Sequence, residues 1–152
     1  MGIIEELTPG PAALDTAVFI YFIEEEPRYL RLVEPVFEAI DRGVIEGVTS
    51  SLTLLEVLVQ PYRADNLALA ERYEAFLTGS RGLRLIEIDR AVLRGAAQLR
   101  AKTNLKPPDA IQLATALVAN CSAFLTNDRA VPVISGLKIL QLRDYLPASR
   151  RR

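Results

Sequence analysis

Along the chain, short apolar or alternating runs take turns with longer stretches in which apolar residues recur at helical spacing. Pro9 to Asp15 reads as a turn running into a short strand. An apolar helix from Thr16 to Ile23 follows, ended by Glu24-Glu25-Glu26-Pro27. Leu30, Val33, Val36, Phe37 and Ile40 mark a helix between Pro27 and Arg42, with Pro35 as a kink or break and Gly43 as a stop. Val44 to Thr49 predicts a second strand. Ser50-Ser51 caps a helix from Leu52 that Pro61 is expected to end or bend. A helix over Asp65 to Leu77 and a strand over Leu83 to Ile88 come next, then a helix over Ala91 to Lys102 behind an Asp89 cap. Asn104 to Pro108 interrupts, Asp109 opens a helix over Ala110 to Ala119, and strands over Ser122 to Thr126 and Gly136 to Leu140 close the series.

Strands that alternate with helices imply crossover connections and an α/β fold, with a mostly parallel sheet of four to five strands covered on both faces. No repeat, low-complexity tract or linker divides the 152 residues, which fit a single domain, 1–152, within which residues 1–10 form an N-terminal extension and 147–152 a basic tail. In this architecture the functional crevice lies outside the carboxyl ends of the strands. Asp15 and Asp128 fall at such ends, and Glu56 and Asp109 fall in early helical turns that approach the same rim.

Half of the residues are apolar and the mean hydropathy is positive, so a second copy or another partner is expected to cover part of the surface. The longest apolar runs, Ala17 to Ile23 and Leu52 to Val59, fall far short of the ~20 residues of a membrane span. Met1-Gly-Ile-Ile-Glu-Glu has no basic region, so a cytoplasmic protein is expected. Net charge is −1 from 18 basic and 19 acidic side chains, so contact with a polyanion has to be local. Lys106 and Arg129 are candidates for it, as are Arg63, Arg81, Arg84, Arg100, Lys102 and the Arg150 to Arg152 tail, although each alone is an ordinary solvated charge.

The chain has no histidine and one cysteine, Cys121. That excludes Ser-His-Asp and Cys-His nucleophiles, His-based acid/base cleavage and Cys-cluster zinc. The acids are the remaining signal. Asp15, Glu56, Asp109 and Asp128 each sit inside or beside an apolar stretch, where an unpaired carboxylate costs several kcal/mol to bury, by roughly the penalties known for such groups. Each has an ordinary explanation as well. Asp15 and Asp109 suit helix starts, Asp128 suits a turn, and Glu56 can point outward, although Leu54, Leu55, Val57 and Leu58 around it make that the weakest of the four. Taken together, four acids carried to one rim point to a shared divalent cation of the hard, oxygen-seeking kind. Asp15 and Asp109 are assigned the first ion and Glu56 and Asp128 complete the site, directly or through water; Thr16, Ser51 and Thr126 are candidates to orient carboxylates or waters, although capping and strand propensity explain hydroxyls there equally well. A phosphatase with a paired-Asp nucleophile needs an acid where Ala17 stands, and a phospho-receiver needs adjacent acids near the first strand; neither pattern is present.

Four segments carry a resemblance to a known family: Leu14-Asp-Thr-Ala-Val-Phe-Ile20, Thr49-Ser-Ser-Leu-Thr-Leu-Leu-Glu-Val-Leu58, Pro108-Asp-Ala-Ile-Gln-Leu-Ala-Thr-Ala-Leu117 and Phe124-Leu-Thr-Asn-Asp-Arg129. In that order and spacing the chain resembles PIN-domain ribonucleases, and among them the VapC-type toxins of toxin-antitoxin pairs. The resemblance implies a three-layer αβα sandwich with the first strand central, and a catalytic quartet of Asp15, Glu56, Asp109 and Asp128 with a Thr126-x-Asp128 element. It further implies RNA cleavage with one or two Mg²⁺ or Mn²⁺ ions, a homodimer and a cognate antitoxin. The competing expectation is a catalytically silent PIN-like module that binds RNA or protein, for which four costly acids have no use.

Overall fold

A computed structural model of the chain describes residues 2–148, so the Arg150 to Arg152 tail lies outside the described residues. Five strands form one sheet: β1 (Ala12–Leu14), β2 (Gly47–Ser50), β3 (Leu83–Ile86), β4 (Ala123–Thr126) and β5 (Lys138–Gln141). All pairings are parallel and the order is β3-β2-β1-β4-β5, which puts the first strand at the centre. The fold is therefore the α/β sandwich that the pattern predicts.

Alternation along the central strands feeds two cores. Ala12, Leu14, Ala123 and Leu125 face one side, where α2 (Thr16–Ile23), α3 (Leu30–Asp41), α4 (Leu52–Arg63) and α5 (Leu67–Gly79) pack, while Ala13, Val48 and Phe124 face α6 (Arg90–Lys102) and α7 (Pro107–Val118). Phe19, Phe22, Phe37 and Phe76 cluster in the first core with ring centroids 4.5–6.2 Å apart. The apolar run of α2 is largely accounted for there, since Val18, Phe19 and Ile23 are buried. Among the described residues no helix is long and apolar enough to cross a membrane.

Several boundaries differ from those read in the sequence. A helix α1 (Ile3–Leu7), which no periodicity marked, buries Ile3 and Leu7 in the first core. Pro61 neither ends nor visibly interrupts α4, which runs on to Arg63 with Pro61 itself buried. A proline in a helix gives up its own N–H bond, here to the carbonyl of Val57, and crowds that carbonyl, costs that burial of the ring helps to offset. Pro35 likewise stays inside α3. Asp109 does not open its helix: α7 begins at Pro107 behind an extended Lys106, so Asp109 is its third residue.

The chain builds outward from β1 to β2 and β3, then returns to the other side of β1 for β4 and β5. The order reverses between β1 and β4, and a crevice opens at the carboxyl ends of such a pair. Asp15 directly follows β1 there, tied to β4 by its backbone N–H donating to the Leu125 carbonyl at 3.0 Å.

Candidate active site

Asp15 caps α2, as one of its two readings expected, and does more than that. Its Oδ1 accepts the Thr16 backbone N–H at 2.8 Å, while its Oδ2 accepts the Thr126 hydroxyl at 2.7 Å from the end of β4. Thr126 is fully buried, and its oxygen in turn accepts the Asp128 backbone N–H at 3.1 Å. One hydroxyl thus joins the acid after β1 to the acid after β4. Asp128 Oδ1 accepts the Ala130 N–H at 2.9 Å, the local turn that Asn-Asp leads one to expect.

Glu56, at the start of the second turn of α4, does not point outward. Its Oε1 accepts the Thr16 hydroxyl at 2.6 Å and the Gln112 amide at 3.2 Å. Thr16 therefore supports two carboxylates, Asp15 through its backbone and Glu56 through its side chain.

Gln112, Thr53 and Thr49 were missed in the sequence. Gln112 is buried to 4 % exposure and its Nε2 lies 3.0 Å from Thr53 Oγ1 and 3.2 Å from Thr16 Oγ1. Thr49 donates to the Leu14 carbonyl at 2.9 Å, so the 2.7 Å contact between Thr49 and Thr53 must carry the Thr53 proton. The Thr16 hydroxyl proton is engaged in its hydrogen bond to Glu56. Both hydroxyls next to Gln112 can then only accept, and the amide is the donor that starts two chains, one ending on the β1 backbone and one on Glu56. An amide set amid Ala, Leu and Ile, three residues after Asp109, was the available signal.

The Asp109 carboxylate accepts no hydrogen bond among the described residues. With Asp128, Lys106 and the wall formed by Thr103, Asn104, Leu105, Ala130 and Pro132 it lines a cleft of about 500 Å³. Asp15 and Glu56 do not line that cleft; they form an inner pair beside Thr16. The quartet therefore stands as two pairs that feel each other's charge. Burial pushes the Asp15 carboxyl above its usual range and the charges of Glu56 and Asp109 add to this, against the Thr126 and Thr16 hydrogen bonds. Burial also raises Asp109, helped by Asp128 and then Glu56, while Lys106 pulls it down.

Among the described residues no three acids are gathered closely enough to share one ion as their side chains stand. The chemistry of the donor set nevertheless fits a hard divalent cation: all oxygen, no histidine, mutually repelling, with Asp109 held by no hydrogen bond that turning would break. The lone thiol, Cys121, is buried and pushed up to about 11 by burial, an inert core position.

Of the expected supporting groups, Thr16 and Thr126 bond carboxylates, whereas the Ser51 side chain bonds none of the four and Ser50 Oγ accepts the Leu52 N–H at 3.1 Å instead. Asp89 caps α6 by accepting the Val92 N–H at 2.9 Å. Lys106 stands on the cleft. Arg129 turns to Asp144, 3.0 Å away, in an exposed ion pair.

Residues 12–137 match the family model described as PIN domain. No curated protein matches the sequence. Among solved structures the chain is similar to a toxin-antitoxin complex from Klebsiella pneumoniae, at 24% identity and TM-score 0.64 over 83% of this chain and 94% of that one. It is also similar to VapBC2 from Rickettsia felis bound to a promoter DNA fragment, at 17% identity and TM-score 0.68, and to DNA-bound VapBC from Salmonella typhimurium, at 25% identity and TM-score 0.61. Each of those two matches covers 86% of this chain and 97% of the other.

Proposed function

Because the chain belongs to the PIN-domain family, we propose that it is an endoribonuclease that hydrolyses RNA phosphodiester bonds with Mg²⁺ or Mn²⁺, and that it acts as the toxin of a toxin-antitoxin pair. The observation that carries this reading is the pairing of Asp15 with Glu56 and of Asp109 with Asp128 at the point where the strand order reverses, with two of the four carboxyls pushed up by burial and by one another.

Asp15 and Asp109 would hold the ion, with Glu56 and Asp128 completing its surroundings. When bound, such an ion polarises a phosphate oxygen and lowers the pKa of a coordinated water. The remaining work belongs to the chain. Thr126 and the Thr16 backbone fix both oxygens of Asp15, and Gln112 with the Thr16 hydroxyl ties one oxygen of Glu56, leaving Oε2 to orient or receive a proton from an attacking water. Lys106 places a positive charge beside Asp109 where a substrate phosphate enters.

The partners that go with this reading are an RNA substrate, a cognate antitoxin protein and a second copy of the chain, in a cytoplasmic setting. The solved relatives in toxin-antitoxin complexes support the antitoxin, and exposed Leu55 and Tyr62 on α4 support a partner-covered face. A second reading, a silent RNA- or protein-binding module, draws on the absence of a closed carboxylate cage among the described residues. Cleavage assays decide between them: Asp15→Asn and Asp109→Asn should each abolish Mn²⁺-dependent RNA hydrolysis while the protein still folds. Undiminished hydrolysis in either folded variant would refute the catalytic assignment.

A further inference from the structure

Beyond the carboxylate cleft, a second and larger hollow of about 710 Å³ lies between α6, the outer face of α7 and the 133–135 segment. The two hollows adjoin. Thr103 lines both, and the segment after β4 supplies Ala130 and Pro132 to the first and Val133 to Ser135 to the second. At its floor α6 and α7 approach closely at Gly95, where a Cβ would lie 3.3 Å from Ala114 Cβ.

The charge of the larger hollow is one-sided. Arg94 and Lys102 line it with no acid beside them among the described residues, while the smaller hollow sets Lys106 against Asp109 and Asp128. Helix α6 carries Arg90, Arg94, Arg100 and Lys102 with no acid among its residues, in a chain of net charge −1. Leu99, Leu117 and Val118 add apolar surface between the cations, and Val133 is 98 % exposed at the rim.

We propose that this groove is the path of the RNA strand, its phosphates held by Arg94 and Lys102 and its bases and riboses resting on the apolar wall, so that the strand reaches Asp109 and Asp128. This rests on the nuclease reading for its direction, and on the cations of the larger hollow and its place beside the carboxylate cleft for its occupant. An acidic peptide would satisfy the same cations, but a groove that opens onto the carboxylates suits the chain that is to be cut.

The test is anisotropy of a short labelled single-stranded RNA bound to the full-length chain, with Ca²⁺ replacing Mg²⁺ and salt varied. Each phosphate contact on a single strand adds about 0.7 to the slope of log affinity against log salt. The double variant Arg94→Ala/Lys102→Ala should therefore lower the slope by about 1.4 and weaken binding about twentyfold near 0.1 M salt, while Arg31→Ala on the opposite helical layer changes neither. Unchanged slope and affinity in the double variant overturn the proposal. So does a shift in sedimentation with an unchanged slope, which would make the face an interface between copies. The nuclease reading fails separately: if Asp15→Asn cuts RNA while the double variant loses binding, the groove stands and the catalytic assignment falls.

Discussion

The Gln112 amide has two protons and three acceptors within 3.2 Å, Thr53, Thr16 and Glu56, and neither hydroxyl has a proton left to return. Replacing it with leucine, of similar size, removes the donors and leaves the acceptors facing a methyl group. Gln112→Leu should cost about 1–3 kcal/mol of stability. It should also lower RNA cleavage by about 10–100-fold, because Glu56 keeps only the Thr16 contact and loses its fixed position. Rates measured well below the melting temperature separate the two effects, and full activity in the folded variant would remove Gln112 from the machinery. The acids of this network were legible in the sequence because a carboxylate among apolar residues is expensive wherever it points. Gln112 and Thr53 were not, since an uncharged polar residue on a helix finds water as easily as a partner, and only the folded arrangement decides which. Ser51 is the converse case: it stands at the N-cap of α4, as its place before Leu52 leads one to expect, and its hydroxyl bonds none of the four carboxylates, so the role shared by Thr16 and Thr126 does not extend to it.

At the scale of elements, β3 depends on a glycine placed where no other residue fits. Gly82 has φ +81°, and a Cβ there would lie 2.3 Å from the carbonyl oxygen of Ile40 at the end of α3. Its own carbonyl accepts the Gly47 N–H at 2.9 Å and so starts the β2–β3 ladder. Gly82→Ala should cost about 2–4 kcal/mol from left-handed strain and the clash together. That lowers the melting temperature by roughly 5–15 °C in a chain of this size, with cleavage per folded molecule unchanged. A thermal melt identical to the parent would mean that α3 shifts freely from β3. Elements with strong local signals were read correctly, such as α2, whose Thr16 and Ile23 limits follow from Asp15 before it and the acidic run after it. Those held by distant contacts were not. Helix α1 has five residues, too few for a period to show or for a helix to form alone, and exists because Ile3 and Leu7 dock in the core. That Pro61 does not end α4 is likewise hidden from the sequence, because proline's local cost is visible there and the burial that offsets it is not.

For the molecule as a whole, the carboxylate site sets a balance between stability and function. A carboxyl whose pKa is higher folded than unfolded binds more protons in the folded state, so folding stability falls as pH rises from near 3.8 through the raised value. Asp15 and Asp109 are both of this kind, so the site is least comfortable at the pH where it is expected to work. A divalent ion binding only the folded chain relieves the same repulsion and stabilises by mass action, about 2.7 kcal/mol at one hundred times its dissociation constant. For a chain of this length that raises the melting temperature by roughly 5–10 °C. The increment from Mn²⁺ should be full at pH 7, shrink as pH falls toward 3.8 and the carboxyls take up protons, and be largely lost in Asp109→Asn, which removes a ligand charge without breaking a hydrogen bond. Melting curves with and without Mn²⁺ at several pH values measure it directly. A silent module would show the acid stabilisation of its buried carboxyls and no response to the metal at any pH, so an Mn²⁺-independent melt at pH 7 would leave the nuclease reading without its cofactor.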